Sequence, residues 1–295
     1  MKKKILITGS LGQLGRALFY SLSKDFNVLG TSRKSAQSQI IKKMDISVNT
    51  EVQLMLNMFN PDVIINCAAY TNVDESEINR ELAYNINVKG LRNIIQNSSP
   101  STYIIQISSD YVYDGNNAPY IESDHTYPVN YYGKTKLEAE NILRGSNRDY
   151  LILRPNVLYG QELNSKANFF GWIYSQLNTN KSIKVVNDQI SNPTYINDMV
   201  KIVFQSILMN YCGILNVGSE DSLSRYSFAI AIAKIFNFKI NLIEPVTTTY
   251  LHNNMEGYIA KRPQNNTLIV DKMEKELNIT SSLTNYNLKL IKKNI

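Results

Sequence analysis

A tyrosine and a lysine four residues apart lie in the run Tyr132-Gly133-Lys134-Thr135-Lys136, downstream of a serine pair, Ser108 and Ser109. On a helix, residues i and i+4 share a face, so the phenol and the ammonium would stand side by side. A phenol with a pKa of about 10 is a poor proton shuttle at neutral pH. An ammonium about 5 Å away, at an effective dielectric of about 20, favours the phenolate by roughly 3 kcal/mol. Lys136 is therefore expected to bring Tyr132 into the range useful for general acid–base catalysis. Ser109 would hydrogen-bond the same substrate oxygen. Taken by itself, the spacing also fits a tyrosine packed on a core with a lysine on a solvated face.

The elements around these residues narrow the choice. Leu137, Ala139, Ile142 and Leu143 continue an apolar face after Tyr132, while Lys134, Glu138, Glu140 and Arg144 fall mostly elsewhere, which predicts an amphipathic helix. Tyr103-Ile104-Ile105-Gln106-Ile107 reads as a buried strand delivering Ser108 and Ser109 to its C-terminal end, where open α/β sheets bind ligands. At the other end of the chain, the strand-like run Lys4-Ile5-Leu6-Ile7-Thr8 precedes Gly9-Ser10-Leu11-Gly12-Gln13-Leu14-Gly15, and helical periodicity follows from Arg16 to Leu22. Strand, glycine turn and helix in that order aim free backbone N–H groups and a helix dipole at a pyrophosphate. Gly9, Ser10, Gly12, Gln13, Leu14 and Gly15 are the candidate contacts.

Further segments belong with these: residues 66–74 (Asn-Cys-Ala-Ala-Tyr-Thr-Asn-Val-Asp), Ser108-Ser109-Asp110-Tyr111-Val112-Tyr113-Asp114-Gly115, residues 188–195, and Arg262-Pro263-Gln264-Asn265. In this order, over nearly the whole chain, they resemble the extended short-chain dehydrogenase/reductase family, and most closely its dTDP-4-dehydrorhamnose reductase group. The resemblance implies an α/β fold: a doubly wound parallel sheet of Rossmann type with a second, smaller α/β lobe that binds the sugar nucleotide. It implies Ser109, Tyr132 and Lys136 as the catalytic set, and reduction of the 4-keto group of a nucleotide-linked 4-keto-6-deoxy sugar in deoxysugar and cell-surface polysaccharide biosynthesis. Tyr132 would protonate the new alkoxide, Ser109 orient the oxygen, and Lys136 hold the nicotinamide ribose. Asp45 and Ile46 match the adenine-contacting pair, and Ala68, Ala69 and Tyr70 lie beside the cofactor. Tyr70, Thr71 and Val73 face the substrate side, with Ser109, Asp110, Tyr111 and Tyr132. Val157 stands where the group commonly carries a tryptophan over the sugar, so an aromatic platform is missing. The dTDP nucleotide is the default by resemblance.

The second strand, near residues 26–31, ends at Ser32 and Arg33. An acidic residue there would bind a ribose 2′-hydroxyl, whereas Ser and Arg suit a 2′-phosphate, so NADPH is favoured and NADH stays open. The same feature argues against a 4-epimerase, and Ser109-Asp110-Tyr111 lacks the glutamate that dehydratases place after their acid. From another class, the non-catalytic regulatory subunit of methionine adenosyltransferase is similar in its Tyr-Gly-Lys-Thr-Lys segment and in lacking the tryptophan. It is the alternative reading.

Along the chain, a long helix is expected over residues 75–97, with Asn87 in a structural role, and further helices near residues 52–59, 169–177 and 196–209. Asp45-Ile46 would close the third strand. Residues 1–156 with 193–217 read as the dinucleotide-binding domain, and residues 157–192 with 218–295 as the substrate lobe. Asp74, Asp110 and Asp188 are expected in loop and cap roles, and Cys67 in core.

The 295 residues are 43% hydrophobic and 19% charged, which suits a globular protein of one large domain or of one domain with a smaller companion, and the net charge of +6 suits polyanionic ligands. Two cysteines, Cys67 and Cys212, give neither a disulfide framework nor metal spacing, and His125 and His252 have no ligand partner nearby, so no metal is expected. There is no long basic run for nucleic acid. The apolar run after Lys2-Lys3-Lys4 ends too early for a signal peptide, and no run of about 18 apolar residues occurs. The expectation is a cytoplasmic protein without a membrane or nucleic-acid partner, with a homodimer left open.

Overall fold

Short aliphatic runs become strands of a sheet buried on both faces. The computed structural model describes residues 2–34, 40–160, 168–257 and 260–295. Lys4–Thr8 (β1), Asn27–Ser32 (β2), Ile41–Lys43 (β3), Val63–Asn66 (β4), Tyr103–Ile107 (β5), Tyr150–Pro155 (β6) and a seventh strand, Gly213–Val217, pair in parallel. Across the sheet the order is Gly213–Val217, β6, β5, β4, β1, β2, β3. Because β1 lies between β2 and β4, the connections reverse direction there, and the ends of β1 and β4 flank the crevice such sheets use for ligands.

Strand residues alternate between two cores, as a period of two requires. Ile5, Ile7, Ile65 and Ile105 pack on one face with Gln13–Leu22 (α1). Leu6, Ile64 and Ile104 pack on the other with Asn49–Phe59 (α2). Each fully buried aliphatic side chain contributes about 1.5–3 kcal/mol, so the sheet fixes where the strand ends stand.

The expected helix over residues 75–97 is instead broken into Val73–Ile78 (α3), Arg80–Tyr84 (α4), a π-helical turn at Asn85–Lys89, and Gly90–Asn97 (α5). Asn79, at φ −101° and ψ 55°, leaves helical geometry between α3 and α4. The segment carrying Tyr132 and Lys136 forms Tyr131–Arg144 (α6). The third strand stops at Lys43, so Asp45 and Ile46 lie beyond it. Ile46 is buried against Gly90.

Phe169–Asn178 (α7), Ile196–Met209 (α8) and Arg225–Phe236 (α9) follow. Met199, Ile202 and Val203 of α8 join the main core. Tyr159, Phe170 and Ile173 instead join Phe228 and Ile232 of α9, together with Leu288 and Ile291, in a separate core. Of the stretch 157–192 read as part of the lobe, residues 161–167 lie outside the described residues. One correction concerns residues 218–295: the helix Asp271–Leu277 returns to the main sheet, where Met273 and Leu277 pack with Leu215. Among the described residues no helix is long and apolar enough to cross a membrane.

Candidate active site

The glycine turn follows from close approach. Gly9 has φ +64°, and a Cβ there would come within 2.8 Å of the Ala68 backbone. Gly12 N–H donates to the Gly9 carbonyl at 2.9 Å and then caps α1 without a side-chain acceptor. The first N–H groups of α1 are thus left for an anion. Ser10 turns away from the crevice, its hydroxyl donating to the Thr31 carbonyl at 3.0 Å. Ala68 N–H donates to Thr8 Oγ1 at 3.1 Å, tying the end of β4 to that of β1.

Ser108 and Ser109 leave the end of β5. Ser109 Oγ accepts Tyr111 N–H at 3.2 Å and donates to Asp110 Oδ1 at 2.9 Å. Asn130 caps α6, Oδ1 accepting Gly133 N–H at 2.8 Å, which aims Tyr132 and Lys136 at the same strand end. Tyr132 is 9% exposed and Lys136 3%. Lys136 Nζ donates to the Ile107 carbonyl at 2.6 Å. The Tyr132 ring meets Tyr111 edge-on, centroids 5.9 Å apart.

The electrostatics differ from the sequence expectation. Burial pushes the Tyr132 phenol up, with the Ser109 hydrogen bond opposing it. Burial pushes Lys136 down to about 8, the Glu140 carboxylate opposing. Desolvation is thus the largest effect on Tyr132, and a lowering by Lys136 is not among the others. Tyr132 is therefore held as a proton-bearing donor.

Glu140 is a second correction. It lies fully buried, salt-bridged to Arg154 at 2.6 Å, and not on the solvated face of α6. Asn87, in the π-helical turn, accepts Tyr70 N–H at 2.8 Å and donates to the Tyr70 carbonyl at 3.1 Å and Thr135 Oγ1 at 2.9 Å, joining the segment after β4 to α6. Burial pushes Asp110 up to about 6 against the hydrogen bonds from Asn266 and Ser109. Asn266 Nδ2 donates to the Asp110 carbonyl at 3.0 Å and to Oδ2 at 3.1 Å. Asp74 accepts Ala260 N–H at 2.9 Å and pairs with Arg262. Asp188 accepts Thr248 N–H and Oγ1–H at the start of the helix Thr248–Asn254.

One cleft of about 420 Å³ brings together Gly9, Gly12, Gln13, Leu14 and Gly15 of the turn, Ala69 and Thr71 after β4, and Ser109, Tyr132, Lys136 and Val157. Other candidates do not line it. Ser32 closes β2 and Arg33 follows it, Val73 opens α3, and Asp110 and Tyr111 face a separate small cavity with Arg225 and Asn266. Tyr70 donates its hydroxyl to Glu75 at 3.0 Å, and Asp45 accepts Ser47 N–H at 2.9 Å. Cys67, expected in core, lines the cleft with intermediate exposure, and burial pushes its thiol up to about 12. Asn156, Leu158, Asn168 and Phe169 line the cleft and were not singled out from the sequence. For Asn156 the available signal was its place directly after the run Leu151-Ile152-Leu153-Arg154-Pro155. Phe169, stacked on Phe228 and covered by the Arg225 guanidinium, sets an aromatic face in the wall that Val157 shares.

A parallel sheet with a glycine turn at its switch point and a serine, tyrosine and lysine at the next strand end is the arrangement of a dinucleotide-dependent oxidoreductase-type site. Comparison with known proteins agrees: residues 2–294 match the family model described as RmlD substrate binding domain, and the chain belongs to that family. It is 32% identical to dTDP-4-dehydrorhamnose reductase of Aggregatibacter actinomycetemcomitans, over 95% of each chain. Methionine adenosyltransferase 2 subunit beta of Rattus norvegicus is 29% identical, over 92% of this chain and 82% of the relative. Among solved structures, dTDP-4-dehydrorhamnose reductase from Bacillus anthracis in complex with NADP superposes with a TM-score of 0.90 at 30% identity, covering all of both chains.

Proposed function

We propose that this chain reduces the 4-keto group of a nucleotide-linked 4-keto-6-deoxy sugar with NADPH. The observation that carries the reading is the convergence of Ser109, Tyr132 and Lys136 on the cleft that the Gly9 to Gly15 turn also lines. The uncapped start of α1 and the close approach at Gly9 fit a dinucleotide pyrophosphate, and the NADP-bound relative supports the choice of cofactor. When bound, NADPH supplies the hydride to the ketone carbon. Tyr132 gives its proton to the alkoxide oxygen, Ser109 orients that oxygen, and Lys136 holds the nicotinamide ribose. We read the nucleotide as dTDP, the setting as cytoplasmic polysaccharide biosynthesis, and the residues at the end of β2 as the 2′-phosphate site.

Arg33→Ala should then weaken NADPH binding by about ten- to a hundredfold and leave NADH almost untouched, because the charge-assisted bonds it removes exist only with the 2′-phosphate. Fluorescence titration with both cofactors reads this, and equal loss for both contradicts it.

The purified chain should oxidise NADPH when given dTDP-4-keto-6-deoxy-L-sugar. Val157→Trp, which adds an aromatic contact worth about 0.5–1.5 kcal/mol beyond its area, should change KM more than kcat. Tight NADPH binding with no turnover on any nucleotide 4-keto sugar at about millimolar concentration, together with a co-purifying protein, would shift the reading to the binding-subunit alternative.

A further inference from the structure

The proposed reaction uses Ser109, Tyr132 and Lys136 and gives no task to the ion pair sealed beneath them. Glu140 stands one turn along α6 from Lys136 and is 0% exposed, and Arg154 on β6 is 2% exposed. Glu140 Oε1 accepts from Ser108 Oγ and, at 3.0 Å, from Arg154 Nε, while Oε2 accepts from Arg154 Nη2 at 2.6 Å. Arg154 Nη1 donates to the Tyr113 hydroxyl at 2.7 Å and the Glu122 carbonyl at 3.1 Å. Buried ion pairs of this kind are often no more stabilising than apolar residues of the same volume. Stability alone is thus a poor reason for placing one against the catalytic strand end.

Few groups face the Lys136 ammonium. Among the described residues, those acting on it are Glu140 one turn along its own helix, Cys67 beyond β4, and the Ile107 carbonyl of β5, which accepts its hydrogen bond. Burial holds the Cys67 thiol and the Tyr132 phenol in their protonated forms. Glu140 is the carboxylate that opposes the effect of burial on Lys136, and Arg154 is the cation competing for it.

We propose that Glu140 and Arg154 are opposed positioning residues for Lys136: the Glu140 carboxylate holds the ammonium charged against the end of β5, and Arg154 limits how much of that negative charge Lys136 feels. Two consequences have opposite signs. Without the Glu140 charge, two buried cations remain, and Lys136 is the one that can shed its proton. Without the Arg154 charge, Glu140 is left to Lys136 alone.

The inference rests on the cleft being the NADPH site, so the readout is cofactor affinity across pH, which a protein unable to reduce any sugar still reports. With Lys136 near 8, wild-type NADPH affinity holds below that pH and falls above it. Glu140→Gln should move this midpoint down by about one pH unit or more, and Arg154→Met should move it up. A brace without an electrostatic role would displace neither midpoint, or both the same way, and either result overturns the proposal. Should Glu140→Gln fail to fold, the Arg154→Met displacement decides. Should both fail, the wild type decides: an affinity flat from about pH 6 to about pH 10 overturns it.

Discussion

Replacing Tyr132 with phenylalanine should lower kcat by about 10²-fold or more and leave NADPH affinity nearly unchanged. The ring keeps its volume, its burial and its edge-on contact with Tyr111. Only the hydroxyl is lost, and that hydroxyl carries a proton that a phenol keeps at neutral pH, burial pushing it further up. In the direction of ketone reduction the group must arrive protonated and release its proton as the alkoxide forms. Steady-state rates at saturating NADPH, beside a fluorescence titration of the cofactor, separate the two effects. Turnover within a few fold of wild type would remove Tyr132 from the reaction.

Gly133→Ala is expected to be nearly as damaging for a different reason. The added methyl would overlap the Tyr111 carbonyl oxygen and come within 2.9 Å of Pro128 Cβ. The Tyr111 backbone cannot retreat freely, because Asp110–Val112 form a 3₁₀ turn capped by Ser109. The start of α6 must shift instead, carrying Tyr132 and Lys136 with it. Overpacking of this kind costs about 1–3 kcal/mol of stability, and a displacement of about 1 Å at reacting groups can cost 10²-fold in rate. Unlike Tyr132→Phe, this change should weaken NADPH binding together with kcat, since Lys136 moves too. Denaturant unfolding and the same kinetic pair check it, and unchanged stability would show that α6 packs more loosely on Tyr111 than its geometry states.

What was legible in the sequence depended on whether the signal was local. The glycine turn, the strand before Ser108 and the α8 helix each carry their pattern within a few residues. The burial of Glu140 was not legible, because a glutamate among polar helix residues reads as solvated, and its partner Arg154 sits on a neighbouring strand. The break at Asn79 had one faint signal, asparagine's poor helix propensity between good helix formers. The direction of the Tyr132 shift was misread because spacing supplies a Coulomb attraction but not the desolvation opposing it. Asn266 reaches Asp110 across most of the chain, and no pattern in the sequence distinguishes it from the neighbouring Asn265.

Several contacts in the neighbourhood of the cleft join residues far apart along the polypeptide. Asn266 reaches Asp110 across 156 positions, Asn156 Nδ2 reaches the Asn266 carbonyl across 110, and Ala260 reaches Asp74 across 186. Closing loops of this size costs chain entropy before any contact repays it. During synthesis, strands β1 to β6 emerge and can pair while these partners are still untranslated. The glycine turn can therefore form early on the ribosome, whereas the contacts around Asp110 and Asp74 wait for residues 260–266 to emerge.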